Sequence, residues 1–294
     1  MTRSKPRAAD TITPWSVRAA GKDVVCSRRA GLKTMGWSAL GLVLPGMALS
    51  RPTIVYFYSP ETNINNFRSL KEEFDSFLLD SGCTFQPFSE KEIFEKVISG
   101  KKDAVLILST WHYRKLRESI PIRPVLVGRW QNRNTQKRVL SADKSLASVE
   151  SLAGETIASA GIEEYTRNLL VEMLGPSQRR VAESLRVLIV PKDIDALMAV
   201  GFKMAKAALT TDDSVANLER LHPKLFSQIG ILASSKETLL PIVAVSSERE
   251  NQTQDLLAVF RSMGDKPEGQ RILKMIRLDG FQQLTLHEEQ LMIR

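Results

Sequence analysis

Stretches of strand composition alternate with stretches of helical periodicity from residue 53 onward, and that alternation constrains the fold more than any single residue does. "TIVYFYS" (53–59) is β-branched and aromatic, the make-up of a buried strand. It runs into Pro60-Glu61-Thr62, after which Phe67, Leu70, Phe74, Phe77 and Leu78 recur at helical spacing. "CTFQPF" (83–88) reads as a second strand, placed at an edge or an ending by Pro87. Ser89 and Glu92 have capping-box spacing, and Ile93, Phe94, Val97 and Ile98 make an apolar stripe that ends at Gly100. "DAVLILST" (103–110) is apolar without interruption, which marks a strand covered on both faces.

The pattern breaks after Val127. "GRWQNRNTQKR" (128–138) is polar and basic, and reads as a solvated connector between two lobes rather than as a phosphate-binding patch. Alternation then resumes with strand 155–160, a helix from 163 to 174 stopping at Gly175, strand 185–190, a helix near 194–200 and strand 206–211. Parallel α/β sheets follow from that order.

Ahead of this region stands "SRRAGLKTMGWSALGLVLPGMALS" (27–50). A membrane span needs about 20 apolar residues, and the run from 35 to 49 is shorter and holds Pro45 and three glycines. A basic lead, a short apolar segment and small residues at 46–50 have the layout of an export signal. Arg28 and Arg29, followed by Leu32-Lys33, resemble the twin-arginine type, although Gly31 stands where that type often has Phe. The expectation is a cleaved signal over 1–50; the competing readings are a surface helix and an uncleaved anchor.

The leader also accounts for the charge. The chain has 41 Lys+Arg against 33 Asp+Glu, but eight of the bases and two of the acids fall in residues 1–50, leaving a mature chain near +2. Nothing there calls for a nucleic-acid partner. Cys26 departs with the leader and Cys83 stays, so no disulfide is expected within the mature chain.

Three stretches resemble the periplasmic solute-binding proteins of phosphate and phosphonate ABC importers. "SVESLAGETIAS" (148–159) is similar to the family's opening of the second lobe, with Glu150 in the acidic place. "DIDALMAVGFKMAKAALTT" (193–211) resembles its helix-Gly-strand unit, with Lys206 where Asp is usual, and "DKPEGQRILKMIRLDGF" (265–281) its closing helix pair. The resemblance implies an α/β, two-lobed type 2 periplasmic-binding-protein fold, with mixed, mostly parallel sheets flanked by helices and a ligand cleft between the lobes. It places residues 51–129 plus 243–294 in lobe 1 and 130–242 in lobe 2. It further implies a periplasmic monomer that captures a small ligand by hinge closure and delivers it to an ABC permease. The alternative is an accessory or sensor module of the same fold, binding another membrane or periplasmic protein.

Ligands of open α/β sheets sit beyond the carboxyl ends of strands, next to helix N-termini. That rule selects Ser59, Glu61 and Thr62; Thr110, Trp111, His112 and Tyr113; Glu163, Tyr165 and Thr166; and Thr210 and Thr211. The third loop departs from the family's Ser/Thr-rich segment, because it reads Gly161-Ile162-Glu163-Glu164-Tyr165. A carboxylate beside a bound phosphate costs about 4 kcal/mol per close pair at an effective dielectric of 20, which works against phosphate there. The plain alternative for Glu163 and Glu164, as for Asp212 and Asp213, is first-turn helix charge. His112, His222 and His287 have no metal spacing, and no nucleophile motif or Gly-rich phosphate loop is present, so no enzyme activity, metal or cofactor is expected.

Overall fold

The computed structural model describes residues 53–61, 66–146, 148–248 and 253–293; the segment read as an export signal, with Cys26, Arg28 and Arg29, lies outside them, as does Thr62. Strands are numbered in chain order. The first sheet contains β1 (Thr53–Phe57), β2 (Cys83–Pro87), β3 (Val105–Leu108), β4 (Ile122–Arg129), β12 (Ile242–Ser246) and β13 (Gly280–Gln283), ordered β13-β4-β12-β3-β1-β2. The second contains β6 (Arg138–Asp143), β7 (Thr156–Ser159), β8 (Arg186–Ile189), β9 (Ala207–Thr211) and β10 (Ile229–Ser234), ordered β10-β6-β9-β7-β8. Between the sheets β5 (Thr135–Gln136) pairs with β11 (Thr238–Leu239) in a short antiparallel ribbon.

The two-residue period of each strand explains why both faces of the first sheet are buried. Val55, Phe57, Val105 and Ile107 enter one apolar cluster, while Tyr56, Tyr58, Leu106 and Leu108 enter the other. β3 is therefore buried throughout, as its unbroken apolar run predicts. The pairing is mixed: β1 is parallel to β2 and β3, whereas β12, which arrives after the excursion through the second sheet, runs antiparallel to β3 and β4. Pro87 ends the edge strand β2.

The helix Phe67–Leu78 lays Leu70, Phe74 and Leu78 onto the first sheet, where Phe74 stacks on Phe85 with ring centroids 3.9 Å apart. The helix Glu163–Leu174 ends at Gly175, as its sequence indicates. One local expectation is corrected. The helix Lys91–Ile98 has Glu90 at its N-cap with no side-chain capping bond, so the Ser89/Glu92 capping box does not form. Ile93, read as part of the apolar stripe, is exposed.

The connector 128–138 is more ordered than its composition suggests. Trp130 and Arg133 exchange backbone hydrogen bonds around Gln131 and Asn132, whose φ values of 51° and 60° make a tight primed hairpin turn. Asp279, from the "LDGF" segment, accepts from the Gln131 amide at 2.6 Å and from Arg129 Nε at 3.2 Å. Lys206, the departure from the family pattern, is an exposed side chain at the mouth of β9. Among the described residues no helix is long and apolar enough to cross a membrane.

Candidate functional site

The ends of β1, β3, β7 and β9 converge on a cleft between the sheets, and the residue at its floor is Arg138. As the first residue of β6 it shares a face with Leu140 and Ala142, the face covered by the helix Glu163–Leu174. The guanidinium lies 5.6 Å from the Tyr165 ring and its side chain is 4% exposed. Nη2 donates to Glu61 Oε2 at 2.8 Å, and Nη1 stands 3.8 Å from Asp193 Oδ2. Burial works against its charge, but Tyr165, Glu61 and Asp193 outweigh burial and leave its pKa raised, so it is a cation at any working pH. Its Nε has no hydrogen-bond partner among the described residues.

Two carboxylates complete this network. Glu61, in the loop after β1, also accepts from Gln136 Nε2 at 2.9 Å. Asp193, the first residue of the helix Asp193–Gly201, is fully buried and accepts from the Thr211 hydroxyl at 3.1 Å and from Arg277 at 3.3 Å. Thr211 in turn caps the helix Asp212–Leu221. Arg133 is paired with Asp212 and Asp213, and Trp130 Nε1 donates to Asp213 at 2.7 Å. The connector thus forms a wall of the cleft.

Glu61 and Arg138 together separate two cavities. The larger, about 420 Å³, has Ser59, Trp130, Gln136, Thr211 and Arg277 in its lining; the smaller, about 180 Å³, lies against Thr110, Trp111, Arg114 and Tyr165. Four arginines (133, 138, 220 and 277) face the larger cavity, against Glu61, Asp212, Asp213 and the Asp193 beneath them. The four positive and four negative charges balance.

The structure brings Ser59, Glu61, Thr110, Trp111, Tyr165 and Thr211 to this cleft. Trp111 and Tyr165 meet edge to face with centroids 5.5 Å apart. The other candidates among the described residues are placed elsewhere. The helix Thr110–Leu116 turns its next residues under the first sheet, so Tyr113 joins the core and His112 is fully buried against Tyr58 and Phe94. His112 pairs with Glu95 at 2.9 Å. Glu163 binds Arg167 on its own helix at 2.6 Å, away from the cleft. Thr166 donates to Ser159 Oγ at 3.0 Å and holds the turn, while Thr210 is fully buried and lines neither cavity. Arg138, Asp193, Gln136 and Arg277 escaped sequence reasoning.

Burial holds the His112 pKa below its usual value, against the opposing hydrogen bond that its ring makes to the Glu95 carboxylate. A histidine kept neutral in the folded state binds fewer protons than in the unfolded chain. Its contribution is therefore complete above pH of about 6.5 and is lost as pH falls through the folded value. Melts taken from pH 7.5 to 5 should show falling stability, and His112→Gln should flatten that dependence.

Glu164, unlike Glu163, reaches across the cleft. It bonds Lys91 at 2.6 Å and also Lys115, both from the first-sheet side. Burial opposes its charge, yet the lysine hydrogen bonds prevail and hold its carboxyl below the usual range. Nearby, the Ile162 amide donates to Pro60 O at 2.9 Å, an approach open because residue 161 is glycine: a Cβ there would lie 3.2 Å from the same oxygen. The two halves of the cleft are in contact at both backbone and side chain. Among the described residues no group of His, Cys, Asp and Glu is placed to hold a metal.

A family model described as the periplasmic substrate-binding protein of phosphonate ABC transporters matches residues 54–288. No curated protein matches the chain by sequence. Among solved structures, XAC2383 from Xanthomonas citri bound to ATP superposes with a TM-score of 0.60 at 12% identity, covering 83% of this chain and 95% of that one. PhnD1 from Prochlorococcus marinus in complex with methylphosphonate gives 0.58 at 14% identity over 81% and 94% of the two chains. A binding-protein component of an ABC phosphonate transporter from Pseudomonas aeruginosa gives 0.58 at 15% identity over 81% and 83%. At these identities the likeness establishes a shared fold.

Proposed function

Because the chain belongs to the family of periplasmic substrate-binding proteins of phosphonate ABC transporters, we propose that it is exported through its twin-arginine-type leader and captures a small solute for an ABC importer. Lobe 1 comprises residues 51–129 and 243–294, lobe 2 residues 130–242, and the β5–β11 ribbon with its flanking chain is the hinge. A solute touching both lobes shifts the population from open to closed, and the closed form is what a permease recognises.

The observation that carries this reading is the buried Arg138 at the cleft floor, a fixed cation with an N–H aimed at no described partner. Its charge is shared with Glu61 and Asp193, so it suits an oxyanion carried on an organic body whose further contacts add to the pull of the guanidinium, rather than a bare phosphate or methylphosphonate. The larger cavity favours the organic body: at about 420 Å³ it falls in the roughly 300–1,000 Å³ range of pockets that enclose whole organic ligands, more room than methylphosphonate needs. Trp130 and Arg220 stand where such a body would lie.

A thermal-unfolding screen of the full chain against phosphate, methylphosphonate, larger organophosphonates, nucleotides and sulfonates tests it. A ligand at a thousand times its Kd adds about 4 kcal/mol, worth roughly 8 to 16 °C in a chain of this size. No shift with any of them removes the solute-binding reading. The accessory or sensor module then stands in its place, favoured by the ion pairs that already join the two sides of the cleft.

Closure by hinge bending gives Glu164 a measurable part. Glu164→Ala removes two partly exposed pairs, each worth about 1 kcal/mol or less, so melting should fall by only a few degrees. Small-angle scattering should nevertheless show a larger radius of gyration for the solute-free variant than for the wild type. An unchanged radius would mean that the clamp does not hold the lobes.

A further inference from the structure

We propose that Glu61 is the specificity-determining residue of this cleft: a tethered carboxylate that occupies the anion position on Arg138 and excludes small oxyanions such as phosphate and methylphosphonate. The inference rests on the solute-binding reading above and names what the site rejects.

Three observations carry it. Glu61 and Arg138 come from opposite sides of the cleft yet meet at 2.8 Å with side chains 10% and 4% exposed, so the carboxylate is seated on the guanidinium as a bound anion would be. Gln136 supplies a second donor to the same oxygen at 2.9 Å, completing a small oxyanion pocket whose occupant belongs to the chain. The loop bearing Glu61 is fixed at its preceding residue by the Ile162 amide on Pro60 O, at the N-terminus of the helix Glu163–Leu174. A free oxyanion arriving here meets a neutralised arginine and a carboxylate it cannot approach without repulsion. An intramolecular group also competes at a high effective concentration, so a millimolar free anion does not displace it.

The same pair divides the two cavities. Solutes are therefore admitted to the larger cavity by contacts beyond an isolated oxyanion, with Glu61 left in place.

Titration calorimetry with methylphosphonate and with inorganic phosphate tests the proposal on the full chain as wild type, Glu61→Gln and the double variant Glu61→Gln with Arg138→Met. Glutamine keeps the size and hydrogen bonds of Glu61 while removing its charge. The wild type is expected to bind neither probe below millimolar concentration, Glu61→Gln to bind at least one of them tenfold or more tightly, and the double variant to lose that gain. A merely structural Glu61 would change the melt without creating an Arg138-dependent anion site. Micromolar binding by the wild type, or no gain in a Glu61→Gln protein that melts cooperatively, overturns the proposal. Should Glu61→Gln not fold, the wild-type affinity for methylphosphonate alone decides it. Wild-type binding of larger solutes in the thermal screen keeps the solute-binding reading whichever way Glu61 falls; absence of all binding removes both.

Discussion

Arg138→Met is expected to lower the melting temperature by about 6 to 20 °C, the largest effect of any single change at the cleft. The substitution preserves length and apolar bulk but leaves Glu61 and Asp193 without their buried cation. Removing one member of a buried ion pair costs about 3 to 5 kcal/mol, because the remaining charge is still withheld from water. In a chain of this size each kcal/mol moves the midpoint by roughly 2 to 4 °C. Adding Glu61→Gln should recover part of the loss, since the second charge is then gone too. Asp193 keeps Arg277, Thr211 and Ser214 in every variant. Differential scanning calorimetry near neutral pH decides the matter. A midpoint within about 2 °C of wild type would mean that water reaches the pair in solution, and that the closed cleft is not the resting state.

Gly269→Ala is expected to cost about 3 kcal/mol, at the top of the usual range for overpacking. Gly269 belongs to the helix Pro267–Met275, and a Cβ built on it would stand 2.1 Å from the carbonyl oxygen of Met263. The obstacle is backbone, so no rotamer change relieves it. Either the helix moves off the turn Met263–Asp265 or the turn moves, and both lie against the cluster containing Phe260, Ile272 and Leu273. Gly100→Ala is the control: nothing lies within 4 Å of its Cβ. It should change stability by no more than about 0.5 kcal/mol. Urea unfolding of the two variants reads both, and equal midpoints would contradict the packing argument.

The contrast between those glycines shows what was legible in the sequence. Gly100 and Gly175 end periodic apolar stripes, and such stops are local, so helix ends near them could be read directly. Strand β3 was equally plain, because a continuous apolar run arises where both faces are covered. Pro267-Glu268-Gly269 was legible as a family pattern, but its reason, a backbone contact with the turn at Met263, depends on a geometry that the residue types do not spell out. Arg138 was hidden for a related cause. It closes the basic stretch 128–138, where its neighbours Arg133 and Lys137 are partly solvated, and its two carboxylate partners come from a loop and a helix start far away in sequence. Nothing within a few residues distinguishes a buried arginine from an exposed one. The opposite error befell His112 and Tyr113. They follow β3 in one of the loops the strand-end rule selects, but a seven-residue helix starting at Thr110 carries them back beneath the sheet.

The path of β12 has a consequence for how the molecule assembles. Leu108 pairs with Ile242 and Val105 with Val245, so the central strand of the first sheet gains its second neighbour only when the chain returns from the second sheet. The second sheet is drawn from one continuous segment and is complete when β10 emerges from the ribosome. Until β12 follows, β3 presents an apolar edge to whatever strand lies nearby, and the nascent protein is most prone to self-association in that interval. A chaperone that shields one edge for the time taken to synthesise the remaining segment would suffice to carry the protein past it.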